Sequence, residues 1–276
     1  TLLDQVNPRI REGSAEFLLQ DGILLALARN YSAARASLEK SLAINPNDVR
    51  TINAIGGTYV AENKVAAAVD AVRKHAEQHK DNASMQLALA LWHLRANDSA
   101  SAEQAYLAAA KAGDTSGQAL VQLARIYSER KEYDNAKETL ERAIAELPRP
   151  VDALIVRATI AEQAGDFDSA IADYRKAIGF QPDNFLVLNN LAYILATRKG
   201  DLDEALSFAQ RAKEFAPTVA QPGQPGAAEV DDTLGWVFYL RGVYASALVH
   251  LRAAATANPN SAVTQYHLAM AYSKNG

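Results

Sequence analysis

Small residues recur along the chain with a fixed period of 34 residues. One position is alanine in five successive periods, and the series continues after gaps of 35 and 42 residues: Ala34, Ala68, Ala102, Ala136, Ala170, Ala205 and Ala247. A second small position precedes it in every period and recurs once more near the end: Gly22, Gly56, Ala90, Ala124, Ala158, Ala192, Gly235 and Ala269. Two small positions in fixed phase predict a repeated structural unit.

Large apolar residues and prolines keep the same phase. The residue before the second small position is apolar in most periods, although Asp21 and Arg157 break the pattern: Ile55, Leu89, Leu123, Leu191, Leu234 and Leu268. Prolines close most periods: Pro46, Pro148, Pro182, Pro217 and Pro259. Two amphipathic helices of about 13 residues with short turns fill such a period. Proline forces the preceding residue out of the helical region. Each period therefore predicts a helical hairpin whose two helices approach closely at small residues.

The composition agrees with a folded helical chain. Hydrophobic residues make up 49% of the 276 residues, which is enough to bury a core, so disorder is excluded as the main state. The sequence contains 55 alanines and only 7% aromatic residues, a balance that favours close helix contacts over β-sheets.

Charge and cysteine content narrow the range of partners. The formal net charge is -4, from 28 basic and 32 acidic residues, so no basic excess supports binding to nucleic acid. Cysteine is absent, which excludes disulfides and thiolate metal sites. The apolar runs are too short to predict membrane insertion. Because the sequence begins with Thr1, we expect it to be a piece of a longer protein.

The pattern resembles the tetratricopeptide repeat family, which has small residues at positions 8 and 20 of a 34-residue unit and proline at position 32. Two stretches carry the resemblance most clearly, LNNLAYILATRKGDLDEALSFAQRAKEFAP from Leu188 to Pro217 and DTLGWVFYLRGVYASALVHLRAAATANP from Asp232 to Pro259. The resemblance implies an all-α, right-handed superhelical solenoid of helix-turn-helix repeats.

The expected organisation follows from this register. Residues 1–14 are interpreted as a tail or the remnant of an upstream helix, and residues 262–276 as a terminal capping helix. One residue is inserted in the turn before Asp201, and a Pro- and Gly-rich stretch around 218–229 predicts a surface loop. The seven repeats are expected at 15–48, 49–82, 83–116, 117–150, 151–184, 185–219 and 228–261.

In the family, positions 2, 5, 9, 12 and 13 of each repeat line a concave face on which partner peptides lie. The resemblance carries these positions over to apolar Leu19 and to a set of candidate partner-binding residues: Arg50, Asn53, Arg125, Asn189, Tyr193, Asp232, Trp236, Tyr239, Tyr266 and Met270. Aromatic residues offer large contact areas, so the last repeats are the favoured binding region. The alternative is that these aromatic residues pack against adjacent repeats or the inserted loop.

Patterns for catalysis are weak. His75 and His79 are one helical turn apart but lack the glutamate of a zinc-binding motif, and an exposed helix end explains them better. Asp166 and Asp201 precede second helices, where an acidic side chain caps the backbone N–H groups. No nucleophile or phosphate-loop motif is present. We therefore expect no enzyme activity, no catalytic residue, no cofactor and no metal.

The sequence favours a non-enzymatic scaffold that binds a peptide or helix of a partner protein. The resemblance is strongest to bacterial members of the family, which implies a role in the cell envelope, in secretion or in exopolysaccharide assembly, and favours the periplasm or an envelope anchor over the cytoplasm. Two alternatives stay open: a small ligand or glycan bound by the aromatic residues, and a cytoplasmic assembly factor. The oligomeric state is left open.

Overall fold

The computed structural model describes residues 13–217 and 226–276, and these residues form α-helices and turns without a β-strand. The expected N-terminal tail falls outside the described residues up to residue 12, as does the expected loop from 218 to 225. The helices in the described residues are α1 Ala15–Leu27, α2 Tyr31–Ile44, α3 Val49–Ala61, α4 Val65–Gln78, α5 Ala83–Arg95, α6 Ser99–Lys111, α7 Gln118–Glu129, α8 Tyr133–Glu146, α9 Val151–Gln163, α10 Phe167–Phe180, α11 Phe185–Ile194, α12 Leu202–Phe215, α13 Ala227–Leu240, α14 Tyr244–Ala257 and α15 Ala262–Asn275.

The helices pair into successive hairpins, which confirms the predicted all-α solenoid of helix-turn-helix repeats. By compactness the chain divides into two units, the first ending at Ala143 and the second beginning at Ile144. The first unit has a core of small and large apolar side chains that includes Leu38, Ile55 and Leu123. In the second unit a corresponding core includes Leu191 and Leu234.

Small residues lie where the two helices of a hairpin meet, as predicted. A Cβ atom added to Gly22 would lie 2.5 Å from Cγ of Leu38 and 3.1 Å from the backbone oxygen of Ala34. Gly235 meets Leu251 and the backbone oxygen of Ala247 in the same way, at 2.6 and 3.1 Å. These distances leave no room for a side chain, so the helices approach closely at these positions because the residues are glycine.

Ala269 departs from this rule because it is exposed. It lies on α15, and the described residues form no second helix that pairs with α15 to complete a hairpin. The sequence pattern gives the phase of the small position, while its burial depends on a neighbouring helix.

Acidic and amide side chains cap the helices. The Asp166 carboxylate accepts a hydrogen bond from the Ser169 N–H at 3.1 Å, and Asp201 accepts one from Glu204 at the same distance. These contacts confirm that both residues cap second helices, since an N-cap carboxylate satisfies a backbone donor that the helix leaves free.

A left-handed residue closes the first helix of every described hairpin. Its φ angle lies between 59° and 79° at Arg29, Asn63, Asn97, Lys131, Gly165, Gly200 and Gly242. Glycine adopts this conformation without strain, and asparagine tolerates it better than most residues. The turn therefore keeps its geometry in all seven hairpins, although glycine marks it in the sequence in only three of them.

The residue inserted before Asp201 is accommodated within the end of a helix. Helix α11 passes directly into a π-helical turn, Leu195–Lys199, and the Asp201 N–H donates to the Leu195 backbone oxygen at 3.1 Å. A π turn contains one more residue than an α turn. The insertion thus widens the last turn of the first helix rather than lengthening the loop.

The two polar residues that interrupt the apolar pattern are paired within their own hairpins. Ser37 donates a 2.7 Å hydrogen bond to the Asp21 carboxylate, and Arg157 makes two 2.7 Å hydrogen bonds to Asp173. The partner lies sixteen residues further along the chain in both cases. In these two hairpins a polar pair therefore occupies a place where most other hairpins have apolar residues.

Replacing Tyr106 by phenylalanine should stabilise the first unit. The Tyr106 ring is fully buried and its hydroxyl has no hydrogen-bond partner in the described part of the chain. Burial also raises the pKa of this phenol. A buried polar group without a partner costs about 1–3 kcal/mol, and phenylalanine removes it while keeping the ring. Urea unfolding should show a higher midpoint for Tyr106→Phe, and a midpoint lowered by the change would contradict this account.

Candidate partner-binding site

The ten candidate residues are divided between the two units. Arg50, Asn53 and Arg125 belong to the first unit, on α3 and α7. The other seven belong to the second unit and lie on the first helices α11, α13 and α15.

In the first unit, Arg50 and Asn53 line an open cleft of about 1030 Å³. Arg50 is exposed and pairs with Glu16 at 2.8 Å and with Asp48 at 3.1 Å. The Asn53 side-chain oxygen accepts a 2.8 Å hydrogen bond from the Trp92 indole. Both side chains are thus engaged with neighbouring first helices or their caps, and only part of their hydrogen-bonding capacity is left for a partner.

Arg125 and Leu19, unlike Arg50 and Asn53, do not line this cleft. Arg125 is exposed on α7. The assignment of Leu19 to the concave face is wrong, because its side chain is only 1% exposed and belongs to the core of the first unit. The core cluster that contains Leu19 also includes side chains of later hairpins, such as Ile52 and Ile55, which the position within one repeat does not reveal.

In the second unit, Trp236 is the centre of an aromatic stack. Its ring lies 4.6 Å from the Tyr239 ring at an interplanar angle of 9°, and 4.0 Å from the His267 ring at 16°. Tyr266 extends the group, with its ring 6.3 Å from that of Trp236. Stacked and tilted rings at these distances attract one another. We call Trp236, Tyr239, Tyr266 and His267 the aromatic stack.

The aromatic stack is partly accessible. Trp236 and Tyr239 are half-buried, whereas Tyr266 is 57% exposed. Met270 is half-buried one turn further along α15. Contacts among these rings account for part of the burial of Trp236 and Tyr239. What remains is a surface on which exposed aromatic area adjoins a flexible methionine, a combination suited to protein contacts.

Three further candidates line one cleft of about 350 Å³, which we call the acidic cleft. Asn189, Tyr193 and Asp232 contribute to its walls. Its lining also includes Glu162, Asn190, Ala228, Glu229, Thr233, Asn258, Ser261, Val263 and Thr264. Asp232 connects the acidic cleft to the aromatic stack, because one of its carboxylate oxygens lies 2.9 Å from Nδ1 of His267.

Two residues that line the acidic cleft each carry a buried oxygen atom without a partner within residues 13–217 and 226–276. These atoms are Oδ1 of Asn189 and Oδ1 of Asp232. Buried polar atoms are nearly always hydrogen-bonded in folded proteins, and an atom that is not carries an energetic cost. A donor group entering from outside would relieve this cost.

Asp231 and Asp232 are structural as well as acidic. Asp231 lies 2.8 Å from the Lys213 ammonium and 3.0 Å from Nδ1 of His250. Burial raises the pKa of the Asp231 carboxyl, but the hydrogen bonds from His250 and Lys213 outweigh this effect and hold the pKa below its ordinary value. Neither His250, which contacts Asp231, nor His267, which contacts Asp232, is close to these aspartates in sequence, so the sequence analysis did not predict the contacts. His250 lies on the second helix of the same hairpin and His267 lies on α15, and the spacing of residues within one helix identifies neither contact.

The histidines that resembled part of a zinc motif lie at a helix end. Helix α4 ends at Gln78, so His79 follows its last residue, and His75 lies 3.5 Å from Glu39. In the described ranges, no three histidine, aspartate or glutamate side chains are arranged to hold a metal ion. None of the helices described combines the length and apolar character required to cross a membrane.

The repeat pattern is shared with known proteins. A sequence model of the tetratricopeptide repeat matches residues 54–117 and 121–185. A TPR repeat-containing protein of Pseudomonas aeruginosa is 27% identical over 143 residues, which cover 52% of this chain and 23% of that protein. The matches to curated relatives thus span less than a quarter of their lengths, 23% in this case and 11% of a mouse tetratricopeptide repeat protein.

Solved structures share the fold at low sequence identity. PilF of Pseudomonas aeruginosa has a TM-score of 0.64 at 16% identity, and the match covers 82% of this chain and 97% of that one. PilW, a type IV pilus biogenesis factor, has a TM-score of 0.60 at 16% identity, covering 80% of this chain and 98% of that one. The matched repeats, together with hairpins whose helices meet at glycine and alanine, support a protein of the tetratricopeptide repeat family.

Proposed function

We propose that the chain is a non-enzymatic interaction scaffold whose second unit binds a peptide segment or helix of a partner protein. The proposed binding face is formed by the first helices α11, α13 and α15, which carry the aromatic stack and the acidic cleft. Rigid repeats lose little conformational entropy on association, so a face of this kind binds an extended or helical segment efficiently.

The observation that supports the proposal is the contrast in accessibility within the aromatic stack. The Trp236 ring is held by parallel contacts to Tyr239 and His267, while Tyr266 leaves more than half of its surface, 57%, exposed. An aromatic residue held in one orientation and flanked by polar groups has the character of an interface hot spot. The same packing disfavours glycan binding, because ring faces that stack on each other are less available to a sugar.

We place this activity in the bacterial cell envelope. The support is that one of the curated relatives comes from Pseudomonas aeruginosa and that PilW, which shares the fold, is a type IV pilus biogenesis factor. A role in secretion or exopolysaccharide assembly is consistent with the same setting.

The test compares variants in capture of partners from fractionated cells of the native organism. The double change Trp236→Ala and Tyr239→Ala, and the single change Tyr266→Ala, should each lower affinity for the recovered partner about tenfold or more. Calorimetric titration with the purified partner measures this, and circular dichroism checks helicity. Recovery of the partner from the cytoplasmic fraction alone would contradict the envelope assignment.

Tyr272→Ala is the matched control. Tyr272 is another exposed tyrosine on α15, but its hydroxyl accepts a hydrogen bond from Arg252 on the second helix α14, at 2.8 Å, and it lies outside the aromatic stack. Its removal should leave partner affinity unchanged. If Tyr272→Ala weakened binding as much as Tyr266→Ala, the aromatic stack would not be the binding face.

A further inference from the structure

We propose that the acidic cleft of the second unit binds a cationic side chain of the partner, an arginine guanidinium or a lysine ammonium. This inference rests on the proposed function, because it identifies what the binding face recognises. It is carried by three observations on the cleft: the charge of its lining, a buried carboxylate with an unused oxygen, and the position of the cleft beside the aromatic stack.

The lining of the acidic cleft has one sign of charge. Glu162, Glu229 and Asp232 contribute carboxylates, and among the described residues no lysine or arginine lines the cleft. The nearby Lys213 ammonium is paired with Asp231, at 2.8 Å. Residues 218–225, which precede α13, contain neither lysine nor arginine in the sequence. A cation that neutralises the cleft is therefore best supplied by another molecule.

Asp232 provides the evidence that the cleft binds a hydrogen-bond donor. It is 9% exposed, and its Oδ2 is used by His267 at 2.9 Å. Its Oδ1 has no partner among the residues described. A carboxylate oxygen accepts strong, charge-assisted hydrogen bonds, and leaving one buried without a donor is costly. A guanidinium or ammonium group supplies both the donor and the compensating charge.

Asn189, which also lines the acidic cleft, carries a second acceptor. Its Oδ1 is also buried and unpartnered within the described ranges. The other polar walls are already engaged in part: Glu162 accepts a hydrogen bond from the Tyr174 hydroxyl at 3.3 Å, and Glu229 accepts one from the Gly226 N–H at 2.9 Å. Two free acceptors beside carboxylates match a group with several N–H donors, and arginine has five.

An anionic ligand does not fit this cleft. A partner carboxylate would meet three carboxylates without a lysine or arginine to offset them, which is unfavourable. The aromatic stack strengthens the case for a cation on a protein chain, because Asp232 joins the two through His267 and Trp236. A segment with an apolar residue near an arginine or lysine would contact both surfaces at once.

The test is a titration of the intact, isotope-labelled chain with N-acetyl-argininamide at low salt, followed by NMR. The backbone amide signals of residues 189, 232 and 233 should shift in a saturable manner, and propionate should leave them unchanged. Asp232→Asn should weaken binding about tenfold or more. No saturable shift, or equal affinity in the variant, would overturn the proposal.

Two matched variants guard against loss of folding. Glu162→Gln and Glu229→Gln, combined in one chain, remove charge while each glutamine keeps an oxygen that accepts the existing hydrogen bond. Weaker binding of the arginine probe in a variant with unchanged helicity supports the proposal, and unchanged binding contradicts it. Asn189→Asp adds a carboxylate of equal size, so it should tighten binding of the same probe.

A third titration distinguishes a cation on a partner protein from a free polyamine. Spermidine carries ammonium groups without a peptide chain, and binding of spermidine more than about tenfold tighter than the arginine probe would assign the cleft to free polyamines instead of a partner side chain. These titrations use no partner protein. They can therefore fail while the aromatic-stack variants still lose partner affinity, or succeed while those variants keep it.

Discussion

Replacing Gly56 by alanine should destabilise the first unit by about 1–3 kcal/mol, whereas the same change at the adjacent Gly57 should stabilise it by about 0.5–1 kcal/mol. Both glycines lie within α3, so their intrinsic helix propensities are equal. The opposite signs follow from what each new methyl group would meet.

A Cβ atom at Gly56 would overlap Cζ2 of Trp92, a ring in the next hairpin. Trp92 is only 6% exposed, and its indole N–H donates a 2.8 Å hydrogen bond to Asn53. The ring therefore cannot move away without losing packing and its hydrogen bond. A Cβ atom at Gly57 meets no atom within 4 Å, so alanine there only reduces the entropy of the unfolded chain.

Urea unfolding of the two single variants and the parent measures this difference. Tryptophan fluorescence gives an independent signal, because the chain has only two tryptophans, Trp92 and Trp236, and the Gly56→Ala change should alter the emission of Trp92. Equal midpoints for the two variants would show that Trp92 does not pack on Gly56 as described.

Replacing Arg157 by leucine should destabilise the second unit by about 3–5 kcal/mol. Asp173 is only 4% exposed, and Arg157 makes two 2.7 Å hydrogen bonds to its carboxylate. Removing arginine leaves a buried charge without its partner, and the cost of that charge exceeds the value of an ordinary surface contact. Urea unfolding measures the loss.

Two controls show whether burial is the cause. The double change Arg157→Leu and Asp173→Leu should recover most of the stability, because an apolar pair of suitable size replaces a buried ion pair at little cost. Arg175→Leu breaks the Arg175–Glu204 pair, whose side chains are 51% and 34% exposed, and should cost less than about 1 kcal/mol. Equal losses for Arg157→Leu and Arg175→Leu would contradict the assignment.

The helical hairpins could be predicted because their determinants are local and periodic. The glycine and alanine positions are visible in sequence, and so are the aspartates that cap second helices, such as Asp166. The pairing of Arg157 with Asp173 was missed, although both belong to one hairpin. The sequence contained a sign of this pair. Arg157 and Asp21 both interrupt the apolar positions before the small residues, and each has a polar residue sixteen positions later.

The candidate site was harder to predict because its chemistry depends on neighbouring hairpins. The repeat register placed Trp236 and Tyr266 on first helices, and it could not show that His267 stacks between hairpins and pairs with Asp232. It also placed Leu19 on the concave face, where the structure has a core residue. The position of a residue within its repeat determines which helix carries it and which way its side chain faces. Whether that side chain is buried or hydrogen-bonded depends on contacts with neighbouring hairpins.

The π turn at Leu195–Lys199 has a consequence for how such chains change length. Ala192 precedes the turn and Ala205 follows it, yet both are fully buried. A single added residue is thus absorbed between the two contact points without displacing either, since the wider turn takes up the extra peptide. The end of a first helix can therefore tolerate the insertion of one codon. Hairpins separated by unequal numbers of residues can still pack without a break.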